Sequence, residues 1–343
     1  MTAAESNGLD TILFELLATP EGRADPYPRY ATLRRLAPVY RSGMGSWITT
    51  RYDDCQHVLR SPHFGKQESA TDVARARAKR MAHWEIEAKG LEDAVDLRSR
   101  QSILTLNPPD HTRLRALVSR AFTPSTVEAL RPHVTFLCDE LLAAAADYAA
   151  SGETVDIMTA LAFPLPSSVI GELLGVPPPD RAQFQSLVRH ATAALEPAAT
   201  LDHLVAAHEA RLTMETYFRS LVAERRRRPA DDLLSQLISV RDGSDRLSED
   251  ELIATAILLF AAGFETTTNL IGNGLLALLR HPDQLDALRR AAVGGDGPAV
   301  ARAVEELLRW DSPVQLDVRI AFEDTVLGDE RISAGDSVMT LLG

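Results

Sequence analysis

One stretch, residues 248–279, limits what this chain can fold into more than any other part of it. It reads as a single helix of about thirty residues, with an apolar run from Leu252 to Phe260. The run is broken nearby by Gly263, Glu265 and a threonine cluster, which makes it a buried core helix rather than a membrane span. The motif Ala261-Ala262-Gly263-Phe264-Glu265-Thr266-Thr267-Thr268 is odd for an ordinary core helix. A mid-helix glycine costs roughly 1 kcal/mol relative to alanine. A carboxylate stands beside an alcohol inside an apolar stretch, and threonine hydroxyls there can bond back to the preceding turn. Small residues let something flat approach the backbone, with an acid and an alcohol next to it. The same residues also fit a helix-packing glycine followed by a polar patch.

Around this helix the chain is mostly helical. Segments 109–121, 127–149, 158–174, 179–195, 201–228, 231–241 and 298–310 carry helical spacing, punctuated by prolines such as Pro124, Pro164 and Pro282. The first ordered element is expected after Pro28, with Tyr30, Leu33 and Leu36 in step and Pro38 ending it. Val39-Tyr40 and Trp47-Ile48-Thr49 read as a hairpin, Tyr52 to Leu59 as a helix, and Val326-Leu327, Arg331-Ile332 and 337–342 as short strands. Residues 65–106 alternate blocks of charge and read as a solvated helical excursion, a lid over a pocket being the functional alternative. Arg225 to Arg228 close a helix, where cations offset the macrodipole. No repeat or linker interrupts this pattern. The expectation is one mainly α domain with small β-sheets over 1–343.

A formal charge of -12 argues against nucleic acid or anionic lipid as main partner, since both would repel it. The N-terminus lacks a basic, apolar, cleavable pattern, so a cytoplasmic protein with no membrane segment is expected. The two cysteines, Cys55 and Cys138, form no CxxC pair and are expected to be inert thiols.

Two further pairs sit at helical spacing. Glu306 and Arg309 share a face at i, i+3, and taken alone such a pair decorates a surface. His111 and Arg115 share a face at i, i+4 and suit an anionic ligand such as a carboxylate, although alone they too fit a solvated surface. Their order is what carries weight. Asn107-Pro-Pro-Asp-His111-Thr-Arg-Leu-Arg115 is followed by Ala262-Gly263-Phe-Glu265-Thr266-Thr267, by Glu306-Leu-Leu-Arg309, and by Ser312-Pro313-Val314-Gln315 with Arg319. Asp25-Pro26-Tyr27-Pro28 and Ala121-Phe122-Thr123-Pro124 add to it. In that combination the chain resembles a bacterial-type, soluble cytochrome P450 from about Asp25 to its last residue.

The resemblance implies a haem-dependent monooxygenase acting on an apolar organic substrate, with electrons from a ferredoxin and its reductase. It implies that His111, Arg115 and Arg319 bind haem propionates, and that Ala262 and Gly263 line the oxygen pocket over the porphyrin. Glu265 and Thr266 become the acid–alcohol pair that delivers protons, and Glu306 and Arg309 a buried structural pair beneath the haem. No flavin or nicotinamide fingerprint is present, because Gly272-Asn-Gly274 lies within a helix with no preceding strand. The family's axial ligand is a cysteine thiolate in a glycine-rich loop beyond the Glu-x-x-Arg helix. No residue of this chain matches it, so the expectation is a chain truncated before that loop that alone binds haem weakly or not at all. The rival reading is a non-catalytic helper that activates a partner such as a glycosyltransferase. Retention of Gly263, Glu265 and Thr266 speaks for the enzyme.

Overall fold

The computed structural model describes residues 3–66, 102–194, 196, 199–241 and 245–343, in two compact units. The excursion expected over 65–106 lies mostly outside the described residues.

The first unit draws on 1–108, 193–208 and 314–343. Its first helix, α1 (Ala3–Ala18), buries Leu9, Leu13, Leu16 and Leu17 at helical spacing. The ordered chain thus starts well before the helix expected after Pro28. Two helices follow, α2 (Pro20–Ala24) and α3 (Tyr27–Leu36). The second of these buries Tyr30 and Leu33 and stops at Leu36, because Ala37 precedes Pro38 and is pushed out of the helical region. The expected hairpin forms from β1 (Val39–Arg41) and β2 (Trp47–Thr49), with Gly45 in its turn at φ 89°. After α4 (Tyr52–Arg60) comes a two-residue strand, β3 (Phe64–Gly65).

The C-terminal part of the unit adds β4 (Leu316–Ala321), β5 (Thr325–Leu327), β6 (Glu330–Ile332) and β7 (Ser337–Leu341). The last three are the strands expected there; β3 and β4 are not. Five strands form one sheet in the order β1-β2-β7-β4-β3, antiparallel except for the parallel β2·β7 pair. Alternation along the strands divides the core in two. Tyr40, Ile48, Met339 and Leu341 pack with the leucines of α1 and with Tyr30 and Leu33. Val39, Trp47 and Val338 pack with Val58 of α4 and with Leu327 and Ile332 of the β5–β6 hairpin.

The second unit draws on 109–192 and 209–313. Along the chain its helices are α5 (Asp110–Ala121), α6 (Pro124–Glu128), α7 (Arg131–Ala150), α8 (Pro164–Leu173), α9 (Pro178–Ala193), α10 (Leu201–Arg227) and α11 (Leu233–Ser239). They continue as α12 (Glu249–Arg280), α13 (Pro282–Val293) and α14 (Gly297–Trp310). A π-helical turn, Met158–Ala162, precedes α8. Two departures from expectation have simple causes. The segment 127–149 is divided into α6 and α7 at Ala129–Leu130, with a proline in the first turn of α7. The helix α13 buries no residue fully, its stripe of Leu285, Leu288 and Ala291 being short and half-buried, and Pro282 opens it rather than merely ending α12.

Helix α12 organises this unit. Ser248 and Glu251 close a capping box at its start, each side chain accepting from the other's backbone N–H. Phe260 is fully buried against Phe184 of α9, ring centroids 4.7 Å apart, and Phe184 also meets Phe218 of α10 at 5.6 Å. One turn on, buried Phe264 stacks at 6.2 Å on Phe163. The Thr268 hydroxyl, also buried, donates to the Ala162 carbonyl at the end of the π turn. Among the described residues α12 alone is long and apolar enough to cross a membrane, yet these contacts are those of the core helix expected. The arginines ending α10 are structural through named partners: Arg225 holds Asp232 and the Gly175 carbonyl, and Arg226 pairs with Glu249.

Candidate functional site

In the second unit, α5 presents three different faces. Leu114, Leu117 and Val118 are buried in the core. Arg113 turns away from His111 and Arg115 and reaches Glu251, the capping-box acid of α12, and Asp245. His111 is half-buried and Arg115 exposed, and neither has a hydrogen-bond or ion-pair partner among the described residues. The i, i+4 pair therefore has no partner among the described residues, on a helix that Arg113 clamps to the start of α12. Sequence reasoning passed over Arg113, although its place two residues from both members of the pair puts it on the opposite side of the helix.

The clamp itself is testable. Glu251 is buried, so Arg113→Met would leave a carboxylate without its main countercharge. The expected loss is about 2–3 kcal/mol in urea unfolding, less than for a fully buried pair, because the Arg113 side chain is 34% exposed. The double variant with Glu251→Gln should lose less than the sum of the two. A loss below about 0.5 kcal/mol, the range of ordinary surface changes, would show that the pair holds nothing.

On α12, the Thr266 hydroxyl donates to the Ala262 carbonyl at 2.8 Å, the back-bond expected of a mid-helix threonine. Glu265 beside it is half-buried and takes part in no hydrogen bond among the described residues. Ala262 is the exposed member of this turn. A Cβ at Gly263 would instead lie 3.3 Å from both Cγ1 and Cδ1 of Ile170 on α8. Gly263 therefore serves helix packing on that side, and the open small residue is Ala262 alone.

The Glu306–Arg309 pair forms, with two hydrogen bonds of 2.6 Å, but it is not the buried pair expected. Its side chains are 57% and 67% exposed, and α14 buries none of its residues among the described ones. In that setting the pair contributes little.

In the first unit, Arg319 lies on β4 with its Nη1 buried and without a hydrogen bond. That nitrogen is 2.7 Å from Asp317 Oδ2, close enough for an ion pair but not aligned for a hydrogen bond. Loss of solvent pulls the guanidinium below its ordinary pKa and pushes the Asp317 carboxyl up to about 6. Lys66 completes the cluster by pairing with Asp317 Oδ1.

These groups bear on the haem that the resemblance implies. A porphyrin carboxylate needs donors not already hydrogen-bonded within the chain; His111 and Arg115 meet that condition among the described residues, and Nη1 of Arg319 makes no hydrogen bond although it pairs with Asp317. An iron-ligating thiolate needs a cysteine that ionises, and neither cysteine qualifies. Cys55 is buried, its thiol aimed at the Thr49 and Leu341 carbonyls, and burial pushes it up to about 11. Cys138 is half-buried on α7 and is also pushed up by burial. Among the described residues, neither cysteine is placed to offer the iron a thiolate.

The family described as "Cytochrome P450" matches residues 77–343. Cytochrome P450 107B1 of Saccharopolyspora erythraea is 39% identical over 96% of this chain and 77% of its own length. The cytochrome P450 monooxygenase PikC of Streptomyces venezuelae is 40% identical over 93% of the chain and 71% of its own length. Among solved structures, ligand-free CYP164A2 of Mycobacterium smegmatis superimposes with a TM-score of 0.81 at 37% identity, covering 97% of this chain and 78% of that one.

Proposed function

This chain belongs to the cytochrome P450 family, and we propose that it serves as a haem monooxygenase for an apolar, mid-sized organic substrate of secondary metabolism. By lineage it is a P450-type enzyme whose cofactor is haem. Electrons come from a ferredoxin and its reductase in the cytoplasm. One observation carries the reading: an alcohol, Thr266, is held by the Ala262 carbonyl next to an unpaired, half-buried Glu265, in the middle of an apolar helix. A structural helix has no use for that pair; a reaction that consumes protons has.

When bound through a thiolate, haem supplies the activation of dioxygen. The chain's own residues do the rest. His111 and Arg115 donate to one haem carboxylate, and Arg319 to a carboxylate as well. Ala262, with only a methyl group, lets the flat ring come close to the helix. Glu265 takes protons from outside, and the Thr266 hydroxyl hands them inward, oriented by its bond to Ala262. Phe260 and Phe264 fill the core behind this turn and keep water out of it.

The test is a haem titration of the 343-residue chain followed by Soret absorbance. Arg115→Met should weaken binding about tenfold or more, since a hydrogen bond to a charged group contributes roughly 1.5–3 kcal/mol. Reduction under carbon monoxide should give no red-shifted, thiolate-type band, because both cysteines stay protonated. Unchanged affinity would remove the carboxylate role of Arg115, and a thiolate-type band would show that one of the cysteines ligates after all.

A further inference from the structure

The cluster on β4 holds more than the one arginine assigned above. Strands β3 and β4 run antiparallel with Gly65 opposite Ile320, so the next residue, Lys66, comes level with Arg319. Asp317, two residues before Arg319, points to the same face of the strand. Lys66 Nζ pairs with Asp317 Oδ1, an oxygen that also accepts the Val318 N–H at 2.8 Å. The other carboxylate oxygen lies 2.7 Å from Arg319 Nη1. The three side chains are only 24%, 21% and 18% exposed, so these charges are screened far less than surface ones. If Asp317 served Arg319 alone, the two would be neutral and Arg319 would have little attraction left for an anion. Lys66 changes that balance. With two cations on one carboxylate the cluster carries a net single positive charge, and the arginine keeps a buried nitrogen free of hydrogen bonds.

We propose that Lys66 is a positioning residue: by occupying Asp317 it frees Arg319 to bind a porphyrin carboxylate. The inference rests on the carboxylate role given to Arg319 above. Asp317 holds the guanidinium from one side, and Lys66 cancels the cost of that hold in charge. Removing Lys66 takes the cluster from one positive charge to none. Removing the acid takes it to two, and removing both returns it to one.

The probe is iron-free protoporphyrin IX, a dicarboxylate that needs no axial ligand, with its dimethyl ester as the uncharged control. Binding to the 343-residue chain is followed by porphyrin fluorescence. Lys66→Met should weaken the diacid about tenfold, the effect of losing roughly 1.4 kcal/mol of charge-assisted attraction. Asp317→Asn should bind at least as tightly as the unaltered chain. Lys66→Met combined with Asp317→Asn should recover to within about threefold of it, a rescue that mere structural damage would not give. The ester should be indifferent to all three changes. A Lys66→Met chain that binds like the unaltered one, a double variant as weak as Lys66→Met, or an ester that follows the same order would each overturn the proposal. So would an unaltered chain with no preference for the diacid. If Arg319→Met weakens the diacid while the Lys66 variants do not, the role of Lys66 fails and that of Arg319 stands. If neither does, both fail.

Discussion

Thr266→Ala, in a catalytically competent form of this protein, is expected to keep consuming dioxygen while product per oxygen consumed falls about tenfold or more. Positioned proton transfer contributes roughly 10²–10⁴-fold in other enzymes, and alanine removes the only hydroxyl that α12 holds in place beside Glu265. The helix itself should survive. Alanine is the better helix former, and the Ala262 carbonyl keeps its place in the helical ladder. Thr266→Ser keeps the hydroxyl and should keep most of the coupling. Oxygen uptake and product are measured together, and a Thr266→Ala enzyme that couples as well as the parent would remove Thr266 from the proton path. Loss of both activities in parallel would point instead to damage at the helix.

The largest effect on stability is expected from Phe260→Ala. The ring is wholly buried between Phe184 and Phe218, and three aromatic groups on three helices have no small neighbour ready to move in. Truncation removes the ring's burial and leaves a cavity, together costing about 3–5 kcal/mol. Phe260→Leu, which fills most of the space, should cost clearly less. Urea unfolding followed by far-UV circular dichroism reads the difference. A loss under about 1 kcal/mol would mean that α9 and α10 close around the gap and that the cluster is loosely packed.

Much of both units was legible in the sequence because helical and strand periodicities are local. The span of α12, the back-bonding threonine and the hairpin of β1 and β2 all depend on residues a few positions apart. The order of the motifs pointed to the family for the same reason, each being a short run with its own chemistry. What escaped were features without a local pattern. The helix α13 has only a short, half-buried stripe, and it opens on a proline that reads as the end of α12. A two-residue edge, β3, is too short to show the alternation that marks a strand, whereas β4, with apolar residues at 316, 318 and 320, carries it and is the exception.

Chain order alone singled out the residues proposed to carry the chemistry: the acid and alcohol of Glu265 and Thr266, the carboxylate-binding candidates His111, Arg115 and Arg319, and the helix that bears the pair. Tertiary structure decided how each of them is charged and held. Arg113 serves as a clamp because folding puts Asp245 and Glu251 within its reach. Gly263 faces Ile170 and leaves Ala262 as the open position, a choice that depends on which helix packs alongside. Lys66 and Asp317 meet although some 250 positions separate them, because β3 closes the edge of a sheet begun near the N-terminus and finished near Gly343. The Glu306–Arg309 pair stays exposed for the converse reason, since α14 meets its neighbours through Leu307 and Trp310 and none of the described residues buries the pair. Spacing can say that two side chains share a face; burial and countercharge depend on what the rest of the chain brings to that face.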